Sequence, residues 1–228
     1  MVFTNSQHTV KRFDMEIQQL VNLVLDMGRT VEQQVSRAVA AFRQGDAAVA
    51  REVVAGDAAV NRRDIEIDRS CLRLLGRRQP MSTDLRLVMA LNKAVNDLER
   101  IGDEAKAIAE KTLAIHARGG DSLREGIPLE MGRLATIASR RVQNALDSLA
   151  RLDVDQAWML VRTDEAEDVF QDILRALSTY ALDGELAVAT VIDVALALKA
   201  LKRVADRAQN LAEYVIYIVE GQDIRHQI

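Results

Sequence analysis

The residues best equipped for chemistry in this chain are carboxylates at helical spacing. At about 100° per residue, Asp57, Asn61, Asp64 and Asp68 fall within a stripe about 60° wide on one helix face. Val53, Val60, Ile67 and Cys71 flank it on one edge and Val54, Ile65 and Leu72 on the other, so the acids are expected inside an apolar face. Burying an ionised carboxylate costs several kcal/mol unless a counter-charge is supplied. Three of them therefore call for basic partners, a cation or a solvent-filled groove. Further along, Glu99 and Asp103 stand four residues apart, which puts both carboxylates on one face with β-carbons about 5–6 Å apart; Asn96 and Glu110 lie on the same strip. Two helices turning such stripes toward each other offer oxygen ligands to divalent or ferric ions such as Fe, Zn, Mn or Mg, singly or as a multinuclear group. The simpler alternative is a solvated polar strip, with Lys106 and Arg100 neutralising Glu99 and Asp103 as ordinary ion pairs.

A second set comprises Asp206, Asn210 and Glu213, expected to face Asp164 and Asp168 on the preceding helix. Those two acids lie at the edge of an apolar face formed by Phe170, Leu174 and Leu177. Lys202 takes the position equivalent to Glu99, and its charge repels a cation. The second site is thus expected to be weakened, empty or replaced by an internal ion pair. Catalytic constellations are missing. Glu-x-x-His, His-x-x-x-His and a Gly-rich phosphate loop do not occur, and His8, His116 and His226 fall near element ends. The chain reads as a binding protein with no catalytic residue; a metal-dependent phosphohydrolase or oxidase built on the stripes, and a metal-free helical adaptor, are the alternatives.

The elements that position these residues are all helical. Phe13, Ile17, Leu20, Val24, Met27, Val31, Val35, Ala38 and Phe42 step by three or four, which predicts one helix of about 35 residues with a coiled-coil-like seam. Gln44-Gly45-Asp46 ends it and starts a second helix running to Leu75. Pro80 and the cap candidates Ser82, Thr83 and Asp84 lead into a third, to Ala117. Gly119-Gly120-Asp121 is the clearest break, and predicted helices follow over 129–152, 154–182 and 185–219. The fold class is all-α: two tandem antiparallel three-helix bundles, residues 1–118 and 119–228. At an offset of 103, Asp97–Glu110 matches Ala200–Glu213, with identities at Leu98/Leu201, Arg100/Arg203, Asp103/Asp206, Ala105/Ala208, Ala109/Ala212 and Glu110/Glu213. The halves are an internal duplication.

Composition narrows the function classes. With 49% hydrophobic and 28% charged residues among 228, the chain has a folded protein's balance, and two prolines with only eight aromatics (four Phe, three Tyr and one Trp) disfavour strands. A net charge of −4 and the lack of a basic, aromatic-laced helix face argue against nucleic-acid binding. Cys71 stands alone, expected as a small buried apolar residue in a reducing compartment. Met1 to Phe13 lack a signal peptide's apolar core, and the most apolar stretch, Leu186 to Leu201, is interrupted by Asp193 and Lys199. A cytoplasmic location is expected.

Several segments resemble the PhoU family of phosphate-signalling regulators along nearly the whole chain. They are Arg78-Gln79-Pro80-Met81-Ser82-Thr83-Asp84-Leu85-Arg86-Leu87-Val88-Met89, then Asp97-Leu98-Glu99-Arg100-Ile101-Gly102-Asp103, and Arg203 through Tyr214 with Val219 through His226; Met27-Gly28 and Val31-Glu32-Gln33-Gln34 add to them. The resemblance implies two three-helix bundles related by a pseudo-twofold axis, a homodimer, and metal ions on the acidic faces. Glu99 and Asp103 match the first motif; Asp206, Asn210 and Glu213 match the second. Lys202, Ala205 and Arg207 depart from it. The resemblance further implies a negative regulator of the phosphate-starvation response, coupling the ATPase subunit of the Pst transporter to a PhoR-type histidine kinase and meeting the membrane only through these partners.

Overall fold

The computed structural model describes residues 11–119, 126–184 and 186–224, which form seven α-helices and no strand. Gly120, Asp121, His8 and His226 lie outside the described residues. In α1 (Lys11–Gln44), all nine residues of the apolar seam are buried. Gly45 takes the left-handed φ of +66° that ends α1, and Asp46 then caps α2 (Ala47–Arg78), its carboxylate accepting from the Ala48 and Val49 amides at 2.9 and 3.0 Å. Helix α3 (Ser82–Ala117) departs from the expected start. Its cap residue is Met81, with no side-chain hydrogen bond, because the helix begins early enough to take Ser82, Thr83 and Asp84 into its first turn. Asp84 there meets the positive end of the helix dipole.

In the second half, α4 (Gly126–Arg151) leads through the cap Asp153 into α5 (Val154–Arg162), α6 (Glu165–Leu182) and α7 (Val188–Glu220). The single helix expected over 154–182 is split. Thr163 is extended, and Asp164 caps α6 by accepting from the Glu167 amide at 3.3 Å. The break costs little because Arg141 of α4 donates to the Leu160 carbonyl at 3.2 Å and to the Thr163 carbonyl, supplying donors where α5 leaves carbonyls without helical partners. Apolar spacing continues across the break, through Leu160, Val161, Val169 and Ile173, so periodicity alone conceals it.

The two halves share one continuous core. The largest helix contact is α3 on α7; α3 also packs on α1 and α2, and α7 on α4, α5 and α6, while α1 meets α4. Close approach of α1 to α4 needs Gly28, since a β-carbon there would lie 2.4 Å from Leu146 Cδ2. Along the α3–α7 seam the partners run antiparallel. Arg118 and Lys111 pair with Asp193, Glu104 with Arg203 at 3.3 Å, and Lys93 lies 5.6 Å from the centre of the Tyr217 ring. Asp193, which interrupts the most apolar stretch of sequence, is thus buried with two counter-charges.

Candidate functional site

Helices α2 and α3 bring the first carboxylate set together. Asp57 is buried at 6% exposure and accepts from Lys106 Nζ at 3.0 Å and from Asn61 Nδ2 at 3.3 Å. Lys106, expected beside Glu99 and Asp103, therefore serves Asp57, and that hydrogen bond and charge hold its ammonium above the ordinary lysine range. Asp57 Oδ1 and Asn61 Oδ1 are buried without a partner. Asn61, Asp64 and Glu99 are half-buried, whereas Asp68, Asp103 and Glu110 are exposed; Asp68 accepts from Asn92 at 3.0 Å. The stripe on α2 does not sit inside a buried face as expected. Ile65 and Leu72 point to solvent because α2 packs on α1 and α3 along one side only, leaving Asp57 as the stripe's one buried acid.

Burial raises the Glu99 carboxyl above its ordinary range, and repulsion from Asp103, Asp64 and Asp57 adds to this against the attraction of Arg100. Asp64 is raised by burial and by Asp68. Acids from two helices thus share one electrostatic neighbourhood. Among the described residues no three His, Cys, Asp or Glu side chains are gathered into a ready-made metal cluster. The donor chemistry nevertheless fits a hard cation: all donors are oxygens, two are buried and unpartnered, and Lys106 and Arg100 offset the negative charge only in part.

This electrostatics sets a pH dependence. A carboxyl whose folded-state pKa lies above its unfolded value penalises the fold when ionised; the penalty is fully present above the folded pKa and relieved as pH falls through it. Glu99→Gln is therefore expected to raise the free energy of unfolding in metal-free buffer at pH 7, by about 0.5 kcal/mol for a repulsion that solvent still screens, and with it the urea midpoint. The gain should vanish as pH falls through the carboxylate range. Urea titrations between pH 3 and 8, about the span over which such groups titrate, check this.

The second set is arranged differently. Lys202, its side chain 12% exposed, bonds Asp206 and lies 3.3 Å from Glu167 Oε2 and 3.7 Å from Asp164 Oδ2. Burial opposes its charge, but the hydrogen bond to Asp206 and the attraction of Asp206 and Asp164 prevail and hold the ammonium above its usual range. Asp168 is exposed and Glu167 takes its expected place, since the break at Thr163 and Asp164 resets the helix register. Asn210 turns away to α3, donating to Asp97 at 3.2 Å, and Glu213 accepts from Gln209 at 3.4 Å.

Sequence reasoning missed three groups. Asp97 is buried between α3 and α7, accepting from Arg207 (2.9 Å), Asn210 (3.2 Å) and Tyr214 (2.7 Å). Arg141 is buried with Gln209 at 3.1 Å, and burial pushes its guanidinium below its usual range. Glu167 is the third. The one available signal was Asp97 and Glu104 at heptad spacing opposite Arg203 and Arg207. Cys71 is buried as expected, with desolvation raising its thiol to about 11.

Comparison with known proteins follows the same architecture. The PhoU domain model matches twice, at residues 24–112 and 131–215. A phosphate-specific transport system accessory protein PhoU homolog of Pseudomonas aeruginosa is 37% identical over 222 residues, covering 97% of this chain and 90% of its own. The phosphate-specific transport system accessory protein PhoU of Escherichia coli is 35% identical over 222 residues, with the same coverage of 97% and 90%. The crystal structure of PhoU from Pseudomonas aeruginosa superposes with a TM-score of 0.86 at 37% identity, covering 92% of this chain and all of that one. With one match in each half and such identity over nearly its full length, the chain belongs to the PhoU family.

Proposed function

We propose that this protein is an accessory regulator of phosphate transport and a negative regulator of the phosphate-starvation response, linking the ATPase subunit of a Pst transporter to a PhoR-type histidine kinase. The observation that carries the reading is the alignment of 97% of the chain with relatives named as accessory proteins of the phosphate-specific transport system. It acts by binding, as a cytoplasmic homodimer, and not by turnover. No helix among the described residues is long and apolar enough to cross a membrane, so in this reading the membrane is met only through the transporter. Exposed apolar residues support a scaffold. Leu85 and Met89 on α3 and Val188 and Ile192 on α7 occupy equivalent positions of the two repeats and leave a matching stripe on each.

In the same reading the α2–α3 face of the first half takes a cation such as Fe, Zn, Mn or Mg, through Glu99, Asp103, Asp64 and Asp57. The support is the unpartnered Asp57 and Asn61 oxygens and the raised Glu99.

Deletion of the gene in the source organism, followed by measurement of phosphate-starvation transcripts in high phosphate, tests the regulatory role. Derepression of at least about tenfold, roughly 1.4 kcal/mol in an equilibrium, is expected. Transcripts that stay repressed overturn the reading.

A further inference from the structure

We infer that the second half carries its counter-ion in its own sequence: the Lys202 ammonium, seated among Asp164, Glu167 and Asp206, stands where a metal would sit, so that the second half takes up none. The inference rests on the metal reading of the first half for its contrast, not for the state of the second.

Three observations carry it. Lys202 aligns with Glu99 at the 103-residue offset, so a ligand position of one repeat is a cation in the other. Its ammonium is bonded to Asp206 and lies within 4 Å of both Glu167 and Asp164, with the side chain 12% exposed. The contacts come from α6 and from α7 itself, one helical turn on, so the cation closes the gap between the two helices that carry the acids. A metal entering these carboxylates would have to displace the ammonium or stand beside it, and like charges at contact distance repel strongly in a half-buried setting.

The neighbouring charges reinforce the difference. Arg141, buried on α4, bonds Gln209 and is attracted by Asp164, Asp206 and Glu165. Arg140 pairs with Glu165 at 2.7 Å. In the first half, the position equivalent to Gln209 is Lys106, committed to Asp57, and the α1 side chain beside Gly102 is the neutral Gln34. Among the described residues no lysine or arginine nitrogen lies within 4 Å of the carboxylates of Glu99, Asp103 or Asp64, whereas Asp164, Glu167 and Asp206 each have Lys202 within that distance.

Mn²⁺ binding to the untagged full-length chain, measured by equilibrium dialysis with elemental analysis at neutral pH, tests this. In Glu99→Gln/Asp103→Asn, which disables the first half, Mn²⁺ affinity is expected to fall at least about tenfold, equivalent to roughly 1.4 kcal/mol. Adding Lys202→Glu to that variant should restore binding, and Asp206→Asn should abolish the restored site. Lys202→Met, which keeps the aliphatic packing while removing the charge, gives the same readout if the Glu variant fails to fold, which circular dichroism reports. Undiminished Mn²⁺ binding in Glu99→Gln/Asp103→Asn overturns the inference when Asp206→Asn then removes it, as does the failure of folded Lys202 variants to gain any. If the unmodified chain binds no Mn²⁺ while the Lys202 variants gain it, the first-half reading fails and this one stands.

Discussion

Asp97→Ala is expected to destabilise the protein by about 3–5 kcal/mol, the cost of removing one partner of a buried ion pair. The side chain accepts three hydrogen bonds, all from α7. Its removal leaves the Arg207 guanidinium uncompensated, and Arg207 Nε already lacks a partner. Tyr214 and Asn210 lose their acceptor as well. Urea unfolding followed by circular dichroism measures the loss. Arg207→Met should cost less, because Asp97 keeps its hydrogen bonds from Asn210 and Tyr214, and the double variant should be less destabilised than the sum of the singles. Additive effects would show that Asp97 and Arg207 act separately.

Leu98→Ala and Leu201→Ala should each cost about 2–5 kcal/mol, as truncation of a fully buried leucine leaves a cavity that rigid neighbours fill only in part. The more informative expectation concerns cooperativity. Leu98 lies on α3 and Leu201 at the equivalent position of α7, on the two helices that make the largest contact in the molecule. With one core spanning both halves, either substitution should shift a single transition to lower urea without changing its slope. Trp158 provides the check. It lies in α5, its indole donating to Glu220 at 3.1 Å, so its fluorescence reports the second half. Leu98→Ala in the first half should move the fluorescence transition as far as the circular dichroism transition. Separation of the two curves would mean that the halves unfold independently.

Much of this architecture is legible in the residues alone. The seam from Phe13 to Phe42 and the Gly45-Asp46 turn follow from local rules of periodicity and capping, the offset of 103 follows from aligning the chain with itself, and α1 and α2 appear where those rules put them. The replacement of Glu99 by Lys202 across the repeat is equally local, because it needs only an alignment of the chain with itself. Legibility failed where two helices had to be placed beside one another. Asp168 and Glu167 differ by one residue, and the choice between them turned on the break at Thr163 and Asp164, which a guanidinium from another helix makes tolerable. Ile65 and Leu72 were assigned to a buried edge that α2 does not have, since period reveals an apolar face but not which neighbours cover it.

The sequence by itself determined an all-helical chain, its duplication, the positions of its acidic stripes and the charge reversal at Lys202. Tertiary structure decided that Asp57 alone among the acids of α2 is buried, that Lys106 belongs to it, and that Asp97 joins the halves through α7. The division has a physical cause. Helix formation and capping depend on residues within a turn or two of one another, whereas the burial and pairing of a charge depend on which distant side chains packing brings within about 4 Å.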